Sequence, residues 1–316
     1  MIESMPKVAT REAYGKALVE LGRENPDIVV LGGDLNKSTF VHLFAQEFPD
    51  RFFDFGPAEQ NIMGVAAGMA ASGKVPFVST FSVFGMCRPF DQVRVSIAQP
   101  HLGVKIVCTH AGILTGEDGM SAHGIEDLSL ACSLPGFTVV APSDAVEAVA
   151  AVRAAASMPG PFYVRLYRPA TPVLHANGSH FKVGEGEVMR DGNDASIIAT
   201  GVMVSTALEA AEALTAKGVS CRVINIHTLC PLDESVIAVA ARDTGGVVTV
   251  EEHLSHGGLG SRVAQVLGQK APAPIEMVAL QGYTESGDPA LLMKKYHLAA
   301  EDVEAAVWRL MERKGA

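Results

Sequence analysis

The stretch Phe52–Arg94 (FFDFGPAEQNIMGVAAGMAASGKVPFVSTFSVFGMCRPFDQVR) constrains this chain more than any other. A single carboxylate, Glu59, opens a run that carries no charge from Asn61 to Gly73. Pro57 pre-sets a helical φ just before it, which puts Glu59 in the first turn of a helix over 58–72. Gly64 and Gly68 lie four apart on that helix. A helix that is small and apolar all round is buried, with another backbone close against it. A first-turn carboxylate ordinarily does no more than meet the helix dipole, for ~0.3–1 kcal/mol. The next segment changes that reading. After a strand over Val75–Ser79 come Phe81 and Phe84, three apart and so on one face of a helix near 81–98. Two such Phe are by themselves more often core. A buried acid followed by an aromatic pair, however, suits a flat nitrogen heterocycle: a carboxyl for a ring nitrogen and a face for stacking.

The rest of the first half alternates in the same way. Arg11–Arg23 is a helical pattern, Ile28–Leu31 a short buried strand, and Ser38 is placed to N-cap a helix through Phe48. Arg51–Asp54, Val104–Thr109, Thr138–Val140 and Phe162–Leu166 read as further strands, with a helix over 144–156. Short apolar strands alternating with helices predict a parallel sheet covered on both faces, with ligands outside the strands' carboxyl ends. Arg168–Glu187 breaks the pattern with Pro169, Pro172, Gly178, Gly184 and Gly186, and a second strand–helix alternation follows from Ser196. The expected fold is α/β, with two domains, each a mostly parallel sheet flanked by helices: 1–170, a linker over 171–187, and 188–316.

With 316 residues, 48% hydrophobic and 19% charged, the chain has ample core for two domains and a composition that fits large subunit contacts. Its net charge of −10 argues against nucleic acid as a main partner. Five scattered cysteines, no apolar run long enough to span a bilayer and no signal peptide make a reducing cytoplasm the expected location, with no membrane association.

GPAEQN, STFSVF and FDQVR resemble the pyrimidine-binding domain of transketolases, which use thiamin diphosphate. The similarity runs from AYGKAL (Ala13–Leu18) to GGLGS (Gly257–Ser261), nearly the whole chain, and the second half resembles the transketolase C-terminal domain. The resemblance implies that Glu59 hydrogen-bonds a ring nitrogen of the aminopyrimidine while Phe81 and Phe84 stack on it. It also implies that Asp34 and Leu35, in the loop GGDLNKST, lie beside the cofactor and that Ser38 touches the sugar phosphate. A Ser at a helix start is a plausible phosphate contact on physical grounds as well. Without the resemblance, Asp34 is as readily a residue that satisfies loop amides, His110 a structural histidine, and Arg165 and Arg168 surface cations. With it, His110 contacts the substrate and its phosphate, Asp118 a substrate hydroxyl, and Arg168 the phosphate.

One match departs from the family. Many transketolases carry D-G-x-[ST]-H-Q, and this chain reads Asp118-Gly119-Met120-Ser121-Ala122-His123, so the family histidine falls on Ala122. His123 is the expected substitute, pointing at the active site. Cys87 stands where full-length transketolases often carry a third aromatic, which implies a more open pocket. VEEHLSHGGLGS holds two His and two Glu without metal-type spacing, so no metal is expected there.

The family's diphosphate- and metal-binding motif, Gly-Asp-Gly followed further on by Asn, is missing: Glu117-Asp118-Gly119 is the nearest candidate, with no Asn before Asn177. The resemblance thus implies one subunit of a two-component transketolase. A separate N-terminal subunit would bind the diphosphate and Mg2+ or Ca2+, in a heterotetramer that passes a two-carbon unit from a ketose phosphate to an aldose phosphate. The alternatives are the β subunit of a 2-oxo acid dehydrogenase decarboxylase, an enzyme like 1-deoxyxylulose-5-phosphate synthase, and a non-catalytic scaffold half.

Overall fold

The computed structural model describes residues 4–176 and 181–315. Strands β1 (Lys7–Ala9), β2 (Ile28–Gly32), β3 (Phe52–Asp54), β4 (Val75–Ser79), β5 (Lys105–Cys108), β6 (Thr138–Val140), β7 (Phe162–Arg165) and β8 (Ala170–Pro172) come from the first half. The second half contributes β9 (Glu187–Arg190), β10 (Ala195–Ala199), β11 (Cys221–Asn225), β12 (Thr228–Cys230), β13 (Val247–Leu254) and β14 (Ile275–Leu280). One sheet has the order β12-β6-β7-β5-β4-β2-β3 and the other β14-β13-β10-β11-β9. Every pairing in both is parallel except those of the edge strands β12 and β9. The central strands β2, β5, β7 and β10 are buried throughout, as strands covered on both faces must be.

The chain does not divide as cleanly as its composition suggests. β12 lies in the second half by sequence, yet pairs antiparallel with β6 of the first sheet. β8 straddles the start of the expected linker and pairs with β1, so that segment is tied to the first domain as far as Pro172. Residues 177–180 of the linker lie outside the described residues.

Two local expectations change. Ser38 caps no helix: the helix starts at His42 after Val41, and the preceding turn is closed by Thr39, whose hydroxyl donates to the Leu35 carbonyl at 3.0 Å. The helix near 81–98 is not continuous. It runs as a π-helical turn over Val83–Cys87, an α-turn over Phe90–Gln92 and a second π-helical stretch over Val93–Ala98. Pro89 has no N–H to offer the carbonyl four residues back, so the ladder is interrupted there. Gly85 is required within the first turn, because a Cβ there would lie 2.3 Å from Cys108 Sγ on β5.

The helix Glu59–Ala71 buries Glu59, Ile62, Met63, Ala66 and Ala67, a single stripe at helical spacing. Its other side departs from expectation. Gly64 and Gly68 are exposed, and a Cβ on either would meet nothing within 4 Å. The small, uncharged face that should have another backbone against it is therefore uncovered in this chain.

Candidate active site

Glu59 begins its helix with only 2% of its side chain exposed and forms an ion pair with Arg88, Nη1 to Oε2 at 2.9 Å. Arg88 itself is 47% exposed, so the buried carboxylate is met by a cation that reaches in from solvent. The same guanidinium lies over the ring of Phe84, 4.5 Å from its centroid. Phe84 and Phe81 are nearly parallel, with centroids 5.8 Å apart and planes 12° from each other. The His110 ring stacks on Phe81 at 3.7 Å and 17°. The expected acid and aromatic pair are thus brought together. Arg88, between Glu59 and Phe84, is the residue that sequence reasoning passed over. The guanidinium is flat, cationic and rich in N–H, and it shows what shape and chemistry this niche accepts.

His110 is held with φ at 55°, a left-handed conformation that costs a β-carbon residue ~1–3 kcal/mol. Its Nδ1 pairs with Thr109 Oγ1 at 2.8 Å, and its carbonyl accepts from Thr115 Oγ1 at 2.7 Å. Burial, aided by the charges of Arg11 and Arg168, pushes its pKa down to about 3. The imidazole therefore stays neutral at every physiological pH, and can accept or donate one hydrogen bond but adds no positive charge. Its NMR ring signals are expected to stay unchanged between pH 8 and pH 5. A midpoint near the ordinary value of about 6.5 would contradict this environment.

Arg168 donates from Nη1 to the Thr115 carbonyl and to Glu117 Oε2, both at 2.7 Å. Arg11 donates from Nη1 to the Ser38 carbonyl at 2.8 Å, while its Nε is buried without a partner. Both arginines line one cavity of about 420 Å³ with Phe40, Glu117 and Pro289. Burial and then the charge of Arg168 lower the pKa of Arg11. The same cavity is lined by Glu12 as well, so its two guanidiniums stand beside two carboxylates. Arg11 was invisible as a site residue in the sequence, where it looks like any basic residue on an amphipathic helix.

Asp34 is exposed, with φ at 64°, and its N–H donates to Asp54 Oδ1 at 3.0 Å. Asp34, Leu35 and Ser38 line a neighbouring cavity of about 530 Å³ together with Lys37 and His42. Asp118 is exposed at the end of a 3₁₀ helix over Ile113–Asp118. His123 is buried, and both its ring nitrogens are engaged: Nδ1 with Thr284 Oγ1 at 2.6 Å and Nε2 with the Gly116 carbonyl at 3.0 Å. The expected substitute for the family histidine is thus held between its own loop and the second domain. Ala122, where that histidine falls, is also buried.

The VEEHL segment is strand β13, and its acids serve the fold. Glu251 accepts from the Leu259 and Gly260 amides at 2.7 and 2.8 Å, at the start of the helix Leu259–Lys270. Glu252 accepts from the Leu114 amide, and a Cβ at Gly112 would lie 2.3 Å from its carboxyl. Burial pushes both carboxyls up to about 7. Glu252 so carries the second domain onto the loop that follows His110.

Comparison with known proteins finds relatives for both halves of the chain. Residues 6–173 match the transketolase pyrimidine-binding domain and residues 184–303 the transketolase C-terminal domain. A putative transketolase C-terminal section from Methanocaldococcus jannaschii is 39% identical over 307 residues, covering 96% of each chain. The 6-deoxy-6-sulfo-D-fructose transketolase subunit SqwH of Clostridium sp. (strain MSTE9) is 38% identical over 96% of this chain and 95% of its own length. Against transketolase-like protein 2 of Mus musculus, 39% identical, the chain spans only 48% of the relative. Among solved structures, a split-gene transketolase described as an inactive beta4 tetramer superposes with a TM-score of 0.91 at 48% identity, over 97% of this chain and 99% of that one. The chain belongs to the transketolase family and comprises its pyrimidine-binding and C-terminal domains.

Proposed function

We propose that this chain is the second subunit of a two-component transketolase, supplying the pyrimidine side of a thiamin diphosphate site and the anion end of the sugar site. The observation that carries the reading is the niche between Glu59 and Phe84, where a flat N–H cation already sits on the carboxylate and over the ring. When bound, thiamin diphosphate would supply the nucleophilic carbon that a ketose carbonyl needs. Glu59 accepts a hydrogen bond from, and shares a proton with, a pyrimidine ring nitrogen. Phe84 and Phe81 hold the ring flat. Arg88 leaves the carboxylate for this, a small movement for a side chain already half in water.

Arg168 and Arg11 grip the terminal anion of the sugar, with Ser38 beside them. Neutral His110 and Asp118 bind substrate oxygens, and Asp34 and Leu35 border the cofactor. His123 takes part only by releasing Thr284 or Gly116. The uncovered face of the helix Glu59–Ala71 supports a separate N-terminal subunit that brings the diphosphate and Mg2+ or Ca2+, in a heterotetramer. Five free cysteines accord with a reducing cytoplasm, and no helix of the described residues is long and apolar enough to cross a membrane.

The test is reconstitution. The chain, its candidate partner and the mixture are assayed with xylulose 5-phosphate and ribose 5-phosphate, with a sulfo-fructose donor, and with pyruvate plus a dye acceptor. Ketol transfer is expected from the mixture and less than about one hundredth of it from the chain alone. Turnover by the isolated chain would remove the two-component reading, and pyruvate oxidation would replace transketolase with a 2-oxo acid dehydrogenase.

A further inference from the structure

A cluster unused by the site above lies where the two domains meet. Glu147, on the helix Ala145–Ser157 of the first domain, Glu187, on β9 of the second, and His175, between them in sequence, each point one ligand atom to a common spot. These atoms all lie within 4.8 Å of one another. His175 Nε2 is 3.0 Å from Glu187 Oε2 and 3.8 Å from Glu147 Oε1. Ligands of a tetrahedral zinc ion, bound at about 2.0–2.1 Å, stand about 3.3 Å apart, so these separations bracket the requirement.

Three further features favour an ion. His175 Nδ1 lies 3.0 Å from Asp144 Oδ2, and that oxygen also accepts the Leu174 and His175 amides. A carboxylate on Nδ1 fixes the tautomer that leaves the Nε2 lone pair free, as in most histidine metal ligands. Independently, Asn225 on β11 is fully buried with its amide head on the cluster. Its Nδ2 donates to Glu147 Oε1 at 2.8 Å, while Oδ1 has no partner, an arrangement that ordinarily costs ~1–3 kcal/mol. Two buried carboxyls, Asp144 and Glu147, and the partly exposed Glu187 surround one imidazole, so acids outnumber bases in the cluster.

The geometry points to a binding site for a zinc-class divalent cation held by Glu147, His175 and Glu187, with Asn225 Oδ1 or water as fourth ligand. The imidazole selects against Mg2+ and Ca2+, which take all-oxygen sets. Glu187, 40% exposed, provides the entry path. Because its ligands come from both domains, the ion would clamp the second domain's edge strand and the connecting segment to the helix of the first. The site owes nothing to thiamin diphosphate or to the proposed reaction.

The full chain, stripped with EDTA, is titrated with ZnCl2 alone and followed by calorimetry, by metal content after gel filtration, and by melting temperature. One zinc per chain and a higher melting temperature are expected, with no shift from MgCl2. Glu187→Gln should weaken binding at least about tenfold, with the metal-free melting temperature kept. Should that variant melt early, Co2+ loaded on the wild-type chain decides, since a four-coordinate site gives intense visible bands. Loss of zinc on gel filtration, or equal zinc affinity in Glu187→Gln, would overturn the site and leave a proton on His175 in that position.

Discussion

Replacing Glu59 with alanine is expected to lower turnover of the assembled enzyme by about 10²–10⁴-fold with folding intact. The fold should survive because Arg88, the partner left behind, is 47% exposed and can turn to water. The rate should not, because the proposed mechanism shares the pyrimidine's proton with this carboxylate, and the side chain that pairs with it, Arg88, is a cation that cannot take its place. Glu59→Gln separates the two roles of the side chain. It keeps a hydrogen-bonding head in the niche but cannot hold the proton, so it should restore cofactor retention in part and turnover little. Steady-state rates on the reconstituted complex, read beside circular dichroism and melting curves, make the measurement. Near-normal rates in Glu59→Ala would end the proposed mechanism.

The second large effect concerns stability. Arg165 and Asp127 form an ion pair at 2.9 Å with side chains 1% and 0% exposed. Arg165 also donates to Tyr167 Oη, the Gly124 carbonyl and the Glu252 carbonyl, while Tyr163 Oη donates to Asp127 Oδ2 at 2.5 Å. Asp127→Ala would leave a buried guanidinium without its ion-pair partner, at a cost of about 3–5 kcal/mol. For a chain of this size that is a fall in melting temperature of about 5–8 °C. Replacing both members with apolar residues, as in Asp127→Leu with Arg165→Met, should recover much of the loss, because the charge itself then disappears. If the single and double variants melt alike, the damage is in packing and the electrostatic account is wrong. The pair also bears on the site: Arg165 holds Gly124 and Glu252, and Glu252 holds the loop after His110.

Arg165 illustrates where reading the sequence alone falls short. Next to Arg168 at a strand end it looks like another surface cation, yet one is wholly buried and the other lines a cavity. Arg165 ends β7 while Arg168 lies three residues on in a bend, and only the packed layers decide which of them is sealed. The same holds for Arg11 and Arg168. They are far apart in the chain and become neighbours because the helix Thr10–Glu24 starts beside β1, which pairs with β8 just after Arg168. The helix near 81–98 was legible as a helix, but its interruption at Pro89, and hence Arg88 over Phe84, was not. A local pattern specifies periodicity and carries no measure of how a widened turn redirects a side chain.

By itself the sequence determined the parallel α/β architecture, the burial of Glu59 at a helix start and, through its motifs, the family. These follow from periodicity, charge and turn chemistry, which act between residues close in the chain. Only the tertiary structure decided which cation faces the acid, that Arg11 and Arg168 line one cavity, that β12 crosses into the first sheet, and that His123 is tied to the second domain. Those facts join residues tens to hundreds of positions apart. They depend on how sheets and helices bury their faces against one another, a property of the whole packed chain that no window of sequence contains.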